Sequence, residues 1–237
     1  MDGSPGGNRR VPEFALVTGL FLSVTFLVAG IALTGDVVRT LLTAVIILYP
    51  FSTYAVRHSA DPTAVLPPRA TSAAATVVGT VLAGSVLVAA PPDEIATELP
   101  YALLLGTAVV VPPAAYHVRY GDRSDRLNPL SPVTTVVVTT VVAVGVLGYG
   151  LLVGGAVFAA ATALIAFLAG AVYARTRGAR LALRTRRRIV ACGAVAGIGV
   201  ATVGVVRGTA TESWLLVGLC VVAAPTIFYA LTDPERG

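Results

Sequence analysis

The chain contains no lysine, and charge of any kind is scarce. Only 12% of its 237 residues are charged, about half the roughly 25% of a soluble globular domain. No Asp, Glu, His, Lys or Arg falls in the middle third of any long apolar run. Proton relays, ion-coupled carriers and intramembrane carboxylate or zinc proteases need such residues at that depth, so these classes are set aside. The sequence also lacks H-E-x-x-H, G-x-S-x-G and a phosphate-binding glycine loop, the motifs that position common hydrolytic and nucleotide chemistry. No cofactor and no metal is expected.

Cysteine is almost missing as well. Cys192 and Cys220 are the only two, and both fall inside expected helices. In an antiparallel pair their depths would differ by roughly 12 Å at about 1.5 Å per residue, too far for a disulfide, whose Cα atoms lie within about 7 Å. Both are read as small buried hydrophobes.

What the chain has instead is apolar sequence, 56% of the whole. It falls into eight stretches near the roughly 20 residues that carry a helix across a bilayer core of about 30 Å. The expected architecture is an all-α polytopic membrane protein with eight transmembrane helices at 12–34, 37–58, 70–90, 99–120, 132–153, 155–174, 189–207 and 213–232. Residues 1–11 and 233–237 are short tails, and 175–188 is an Arg-rich loop. Residues 132–174 carry no charge, yet as one helix they would run about 64 Å at about 1.5 Å per residue. They must turn, and Gly148, Gly150, Gly154 and Gly155 mark the place. The run that follows Arg9 and Arg10 exceeds a signal-peptide core and no A-x-A site follows it, so the first span is expected to remain.

Arginine sets the expected orientation. With the N-terminus inside, fifteen arginines fall on the inner side and only Arg39 and Arg207 on the outer, a strong positive-inside bias. Both termini are then cytosolic. The absence of lysine beside abundant Ala, Val, Gly and Thr fits a GC-rich prokaryote, and the expected location is its cell membrane. The arginines lie beside apolar helices, so topology explains the net charge of +5 better than nucleic acid does. Seven of them fall within Arg175–Arg188, where Arg180, Arg184, Arg187 and Arg188 are expected to contact anionic headgroups of the lipid bilayer, at about 1 kcal/mol each.

The even helices end alike. Pro50 precedes Tyr54, Pro112 precedes Tyr116 and Pro225 precedes Tyr229 at one spacing, and Tyr173 lies two residues before Arg175. This predicts four copies of a helical hairpin related about the membrane normal, although aromatic belts and inner arginines would produce part of the likeness unaided. Pro50, Pro112 and Pro225 are candidate kinks, since each removes a helix hydrogen bond. Thr135 and Thr139 share one face and either line a polar path or bond back to their own helix. Gly150-x-x-x-Gly154 and Gly193-x-x-x-Gly197 fit close packing between helices.

One cluster could carry chemistry. His58 and Asp61 follow the second span, and His117 and Asp122 follow from the fourth, so a site at the cytosolic rim is conceivable. Asp61 precedes Pro62 and Asp122 is flanked by Gly121 and Arg123, so neither loop looks built to hold a ligand rigidly. The leading expectation is therefore non-enzymatic. It is a permease-like bundle for a neutral or apolar solute, or an accessory subunit of a membrane partner. The alternative is a lipid-active enzyme at that rim. A midplane cavity separates the carrier from the enzyme, which needs the four rim residues to converge.

Overall fold

The computed structural model describes residues 11–121, 130–178 and 183–208, together with 214, 217–219, 221–222 and 225. All regular structure among them is α-helical. The order is α1 (Val11–Thr34), α2 (Val37–His58), α3 (Pro62–Val65), α4 (Pro68–Ala89), α5 (Ile95–Tyr120), α6 (Pro132–Val153), α7 (Ala156–Thr176) and α8 (Leu183–Arg207). Among the described residues seven helices, all but α3, are long and apolar enough to cross a membrane. The expected eighth span, 213–232, lies mostly outside the described residues. Its described part runs antiparallel to α8: Trp214 faces Gly204, and Pro225 faces Gly193.

The helices pair as hairpins, α1 with α2, α4 with α5, and α6 with α7. Each hairpin has a local cause. Gly35, with φ 68°, ends α1, and Asp36 then caps α2 by accepting from the Arg39 amide at 2.9 Å. Such caps satisfy amides that the helix cannot reach. Gly154, with φ 85°, ends α6 in the left-handed conformation, which glycine adopts without steric cost. Ser131 caps the start of α6, and Pro132 follows at the first helical position, where its missing N–H costs nothing.

Small residues bring the hairpins close. A methyl group added at Gly79 would meet the Gly106 carbonyl oxygen at 3.0 Å, so α4 and α5 touch backbone to backbone. Gly150 approaches Ala159 and Gly170 approaches Thr139 across the α6–α7 seam. Lipid tails are as apolar as leucine, so such packing, rather than a hydrophobic drive, holds helices together in a bilayer. The threonines of α6 bond back to their own helix. Thr135, Thr139 and Thr140 donate to Ser131, Thr135 and Val136 carbonyls of their own helix.

The hairpins join through α5 and α7, which run side by side in the same direction, with Tyr101 and Phe158 rings 5.1 Å apart. In the apolar stretch of α7, 44% of residues are buried, against 11% in α1. Thus α7 is central, and α1 presents Phe14, Phe21 and Leu33 outward, as a lipid-facing helix does. Cys192 is a correction: it is exposed on α8 rather than buried, because α8 turns its small residues to the antiparallel segment and this cysteine elsewhere. Cys220 lies outside the described residues.

Several helices overrun the expected limits. α5 starts at Ile95, a turn early, after Pro91 and Pro92 and a turn closed by the Glu94 amide on the Pro91 carbonyl at 2.9 Å. α8 starts at Leu183, inside the expected Arg-rich loop. Only α3 has no counterpart among the expected elements.

Candidate functional site

The two ends of the bundle differ in charge. At one end lie Arg57, Arg69, Arg119, Arg175, Arg184, Arg187 and Arg188, with Glu13 and Asp61 as described carboxylates. At the other lie Arg39 and Arg207 with Asp36, Asp93, Glu94 and Glu98. Arg184, Arg187 and Arg188 are exposed in the first turns of α8. Positive charge there opposes the helix dipole, so these residues do not serve helix stability. Arg180 and Asp122 lie outside the described residues.

The described rim residues each have local work. His58 is exposed, stacks on Tyr54 at 4.1 Å and donates through Nδ1 to the Tyr54 carbonyl at 3.0 Å. Asp61 caps α3: its Oδ1 accepts from the Thr63 amide at 3.0 Å, the Thr63 hydroxyl at 2.6 Å and the Ala64 amide at 3.4 Å. The Thr63 hydroxyl, more than any other contact, holds the Asp61 carboxyl below its ordinary range. His117 is only 2% exposed, inside the α4–α5 seam, with Nδ1 3.1 Å from the Ser72 hydroxyl. That hydroxyl also lies 3.0 Å from the Arg69 carbonyl. A hydroxyl that donates to the carbonyl accepts from the Nδ1–H. Among the described residues no three His, Cys, Asp or Glu side chains are grouped to hold a metal.

At the Arg-rich end the described residues enclose a half-open cavity of about 550 Å³ between α2, α4 and α5. This is within the roughly 300–1,000 Å³ of small-molecule sites. Its lining runs from Val45 to Val56 on α2 and from Pro67 to Val78 on α4, roughly 16 Å at about 1.5 Å per residue. Val45, Val78 and Val109 lie near the midpoints of their helices, so the cavity reaches mid-depth. No carboxylate, histidine or arginine lines it.

Its shape follows from how three helices meet. At the far end Val38 and Leu42 of α2 pack on Val86, Ala102 and Leu105, closing α2 onto the α4–α5 hairpin. Toward the Arg-rich end the cavity lies between α2 and α4, and the connection that carries α3 joins them there. Tyr116 of α5 holds that connection, its hydroxyl lying 2.8 Å from the carbonyl oxygens of both Pro62 and Leu66.

Proline shapes the wall. Pro112 and Pro113 lie inside α5 and cannot donate to the carbonyls of Ala108 and Val109, four residues earlier. In hydrocarbon those carbonyls need another donor. Tyr49 of α2 supplies it, its hydroxyl lying 3.4 Å from the Ala108 oxygen and 3.1 Å from that of Val109. The device recurs at the opposite end. Pro100 leaves the Ala96 carbonyl without its helix donor, and the Tyr149 hydroxyl of α6 reaches it at 2.9 Å. Of the candidate kinks, Pro112 thus lines the larger cavity. Pro225 lines a smaller one of about 150 Å³ between α6, α7 and its own segment, and Pro50 lies within α2 beside Tyr49.

Tyr49, Ser72 and Pro113 were not singled out by sequence. The readable signal was a tyrosine hydroxyl in mid-span, which must find a partner, together with two adjacent prolines that leave two acceptors open. No known protein family, curated protein or solved structure matches this chain.

Proposed function

We propose that this multi-pass membrane protein is a non-enzymatic, permease-like component whose site is the α2–α4–α5 cavity, and that it takes up an apolar solute or the apolar part of a bilayer molecule. One observation carries the reading: the cavity reaches mid-depth with a lining free of ionisable groups other than tyrosine phenols. An apolar lining binds apolar matter at roughly 25 cal/mol per Å² removed from contact with water, and it penalises ions. The orientation proposed with it places the Arg-rich end in the cytosol. The rim enzyme ranks second, because Asp61 is engaged as a cap and His117 is buried against Ser72.

The test is saturable binding of a neutral fluorescent hydrocarbon probe to protein in nanodiscs of zwitterionic lipid. Ala74 is exposed and lines the cavity, so Ala74→Trp fills the space without disturbing a buried seam. Saturable binding that this substitution removes supports the proposal. Binding that is absent, or unchanged by it, contradicts the proposal.

A further inference from the structure

The three helices that wall the cavity each carry an arginine at the same end. Arg57 directly follows the lining residue Val56, Arg69 lies between the lining residues Pro67 and Ala70, and Arg119 lies one turn beyond Tyr116. All three are exposed. The described groups of other charge at this end are Glu13 on α1 and Asp61, whose Oδ1 is held by Thr63 and Ala64. His58 adds a titratable ring engaged by the Tyr54 carbonyl. Among the described residues, cationic groups therefore outnumber carboxylates where the apolar slot ends.

A long apolar cavity with cations at its end matches one chemical class. We propose that the occupant is an anionic amphiphile, its hydrocarbon chain lying along α2, α4 and α5 and its charged head at Arg57, Arg69 and Arg119. The inference rests on the cavity being the binding site and adds the identity of the head. The slot is about as long as half a bilayer core, roughly 15 Å, and so accommodates a chain entering from one leaflet. A carboxylate or phosphate head meets guanidinium groups that donate in a planar fork. The anion stays at the rim, and only hydrocarbon enters the apolar wall, so no charge is buried.

A matched pair of probes separates head from chain. cis-Parinaric acid and its methyl ester share one fluorescent chain, and only the acid is anionic at alkaline pH. Each is titrated into full-length protein in zwitterionic nanodiscs. The acid should bind at least about tenfold more tightly than the ester at low salt, and the advantage should shrink as salt screens it. Replacing Arg57, Arg69 and Arg119 together by Gln should bring acid to the level of ester and leave ester binding unchanged, which also shows that the variant is folded. Replacement by Lys should retain most of the advantage. Displacement of the acid by oleate identifies a free fatty acid as the source, and displacement by phosphatidylglycerol built into the disc identifies a lipid headgroup; either supports the shared chemistry. Equal binding of acid and ester, or an advantage that survives the triple Gln variant, overturns the anionic head while leaving the cavity reading in place. Failure of both probes to bind overturns the cavity reading and this inference together.

Discussion

The Tyr49 hydroxyl lies 3.1 Å from the Val109 carbonyl oxygen, across the gap between α2 and α5. Neither residue explains the contact alone. Pro113 removes the amide that would have met that oxygen, and Pro112 does the same for Ala108. A carbonyl without a donor in hydrocarbon is costly, so a side chain from another helix is drawn in. The result ties α2 to the middle of α5 while the rest of the cavity stays open.

Tyr49→Phe should therefore destabilise the protein by about 1–2 kcal/mol, the size of a lost interhelical hydrogen bond in a membrane. In a Pro112→Ala, Pro113→Ala background the helix regains its own donors, and the same substitution should cost clearly less. Reversible unfolding in mixed micelles measures both. Equal costs in the two backgrounds would show that Tyr49 acts through packing alone.

Gly79→Leu should disrupt the α4–α5 hairpin. A methyl group there already meets Val110 Cγ2 at 2.7 Å, and a larger side chain must move a backbone. Overpacking of this kind costs about 1–3 kcal/mol. Thermal unfolding in detergent should show the drop, whereas Gly84→Leu, at a position with open space around it, should have little effect. Matching losses at the two sites would contradict the close approach.

Asp61 should give α3 an acid-sensitive cap. Its carboxyl titrates below the usual 3.8, so its contribution is complete above that value and is lost as pH falls through the lowered one. Amide exchange at Thr63 and Ala64 should thus show constant protection from neutral to mildly acidic pH and lose it only in strong acid. Asp61→Ala should lose it at all pH values, and Asp61→Asn, which keeps an acceptor oxygen, should retain most of it. Protection unaltered in Asp61→Ala would remove the cap from the account.

The proposed orientation rests on the fifteen inner arginines against two. Single cysteines at Ser4, Thr97, Ser124 and Thr211, in a background lacking Cys192 and Cys220, report it. An impermeant thiol reagent should label Thr97→Cys and Thr211→Cys in intact cells and leave Ser4→Cys and Ser124→Cys unlabelled. The reverse pattern would invert the protein in its membrane.

Hydrophobic length makes the helices legible in the sequence. Val37–His58 and Pro132–Val153 match expectation at both ends, because Asp36, Ser131 and Gly154 are local punctuation that sequence displays. The hairpin turns at Gly35 and Gly154 are legible for the same reason. The cavity is not. It lies where the nine-residue connection between α2 and α4 folds into α3 and is held by Tyr116 from a distant helix. Pairings such as Tyr49 with Val109 or Ser72 with His117 join residues far apart in sequence, and periodicity carries no information about them. The charge cluster draws attention to the rim, whereas the feature that distinguishes this end is the apolar space beside it. The repeat of four hairpins remains a proposal: three hairpins are described in full, and of the fourth only α8 and part of the segment that follows it.

The most direct test of the central claim is to locate the occupant. A photoactivatable diazirine on a hydrocarbon chain, bound to the protein in nanodiscs and irradiated, marks the residues it touches, and competition with an unlabelled chain separates a site from general lipid contact. The account predicts that the competable label falls on the lining segments 45–56, 67–78 and 109–116 and disappears in Ala74→Trp. Label spread over the lipid-facing surfaces of α1 and α8, and insensitive to competitor, would contradict it.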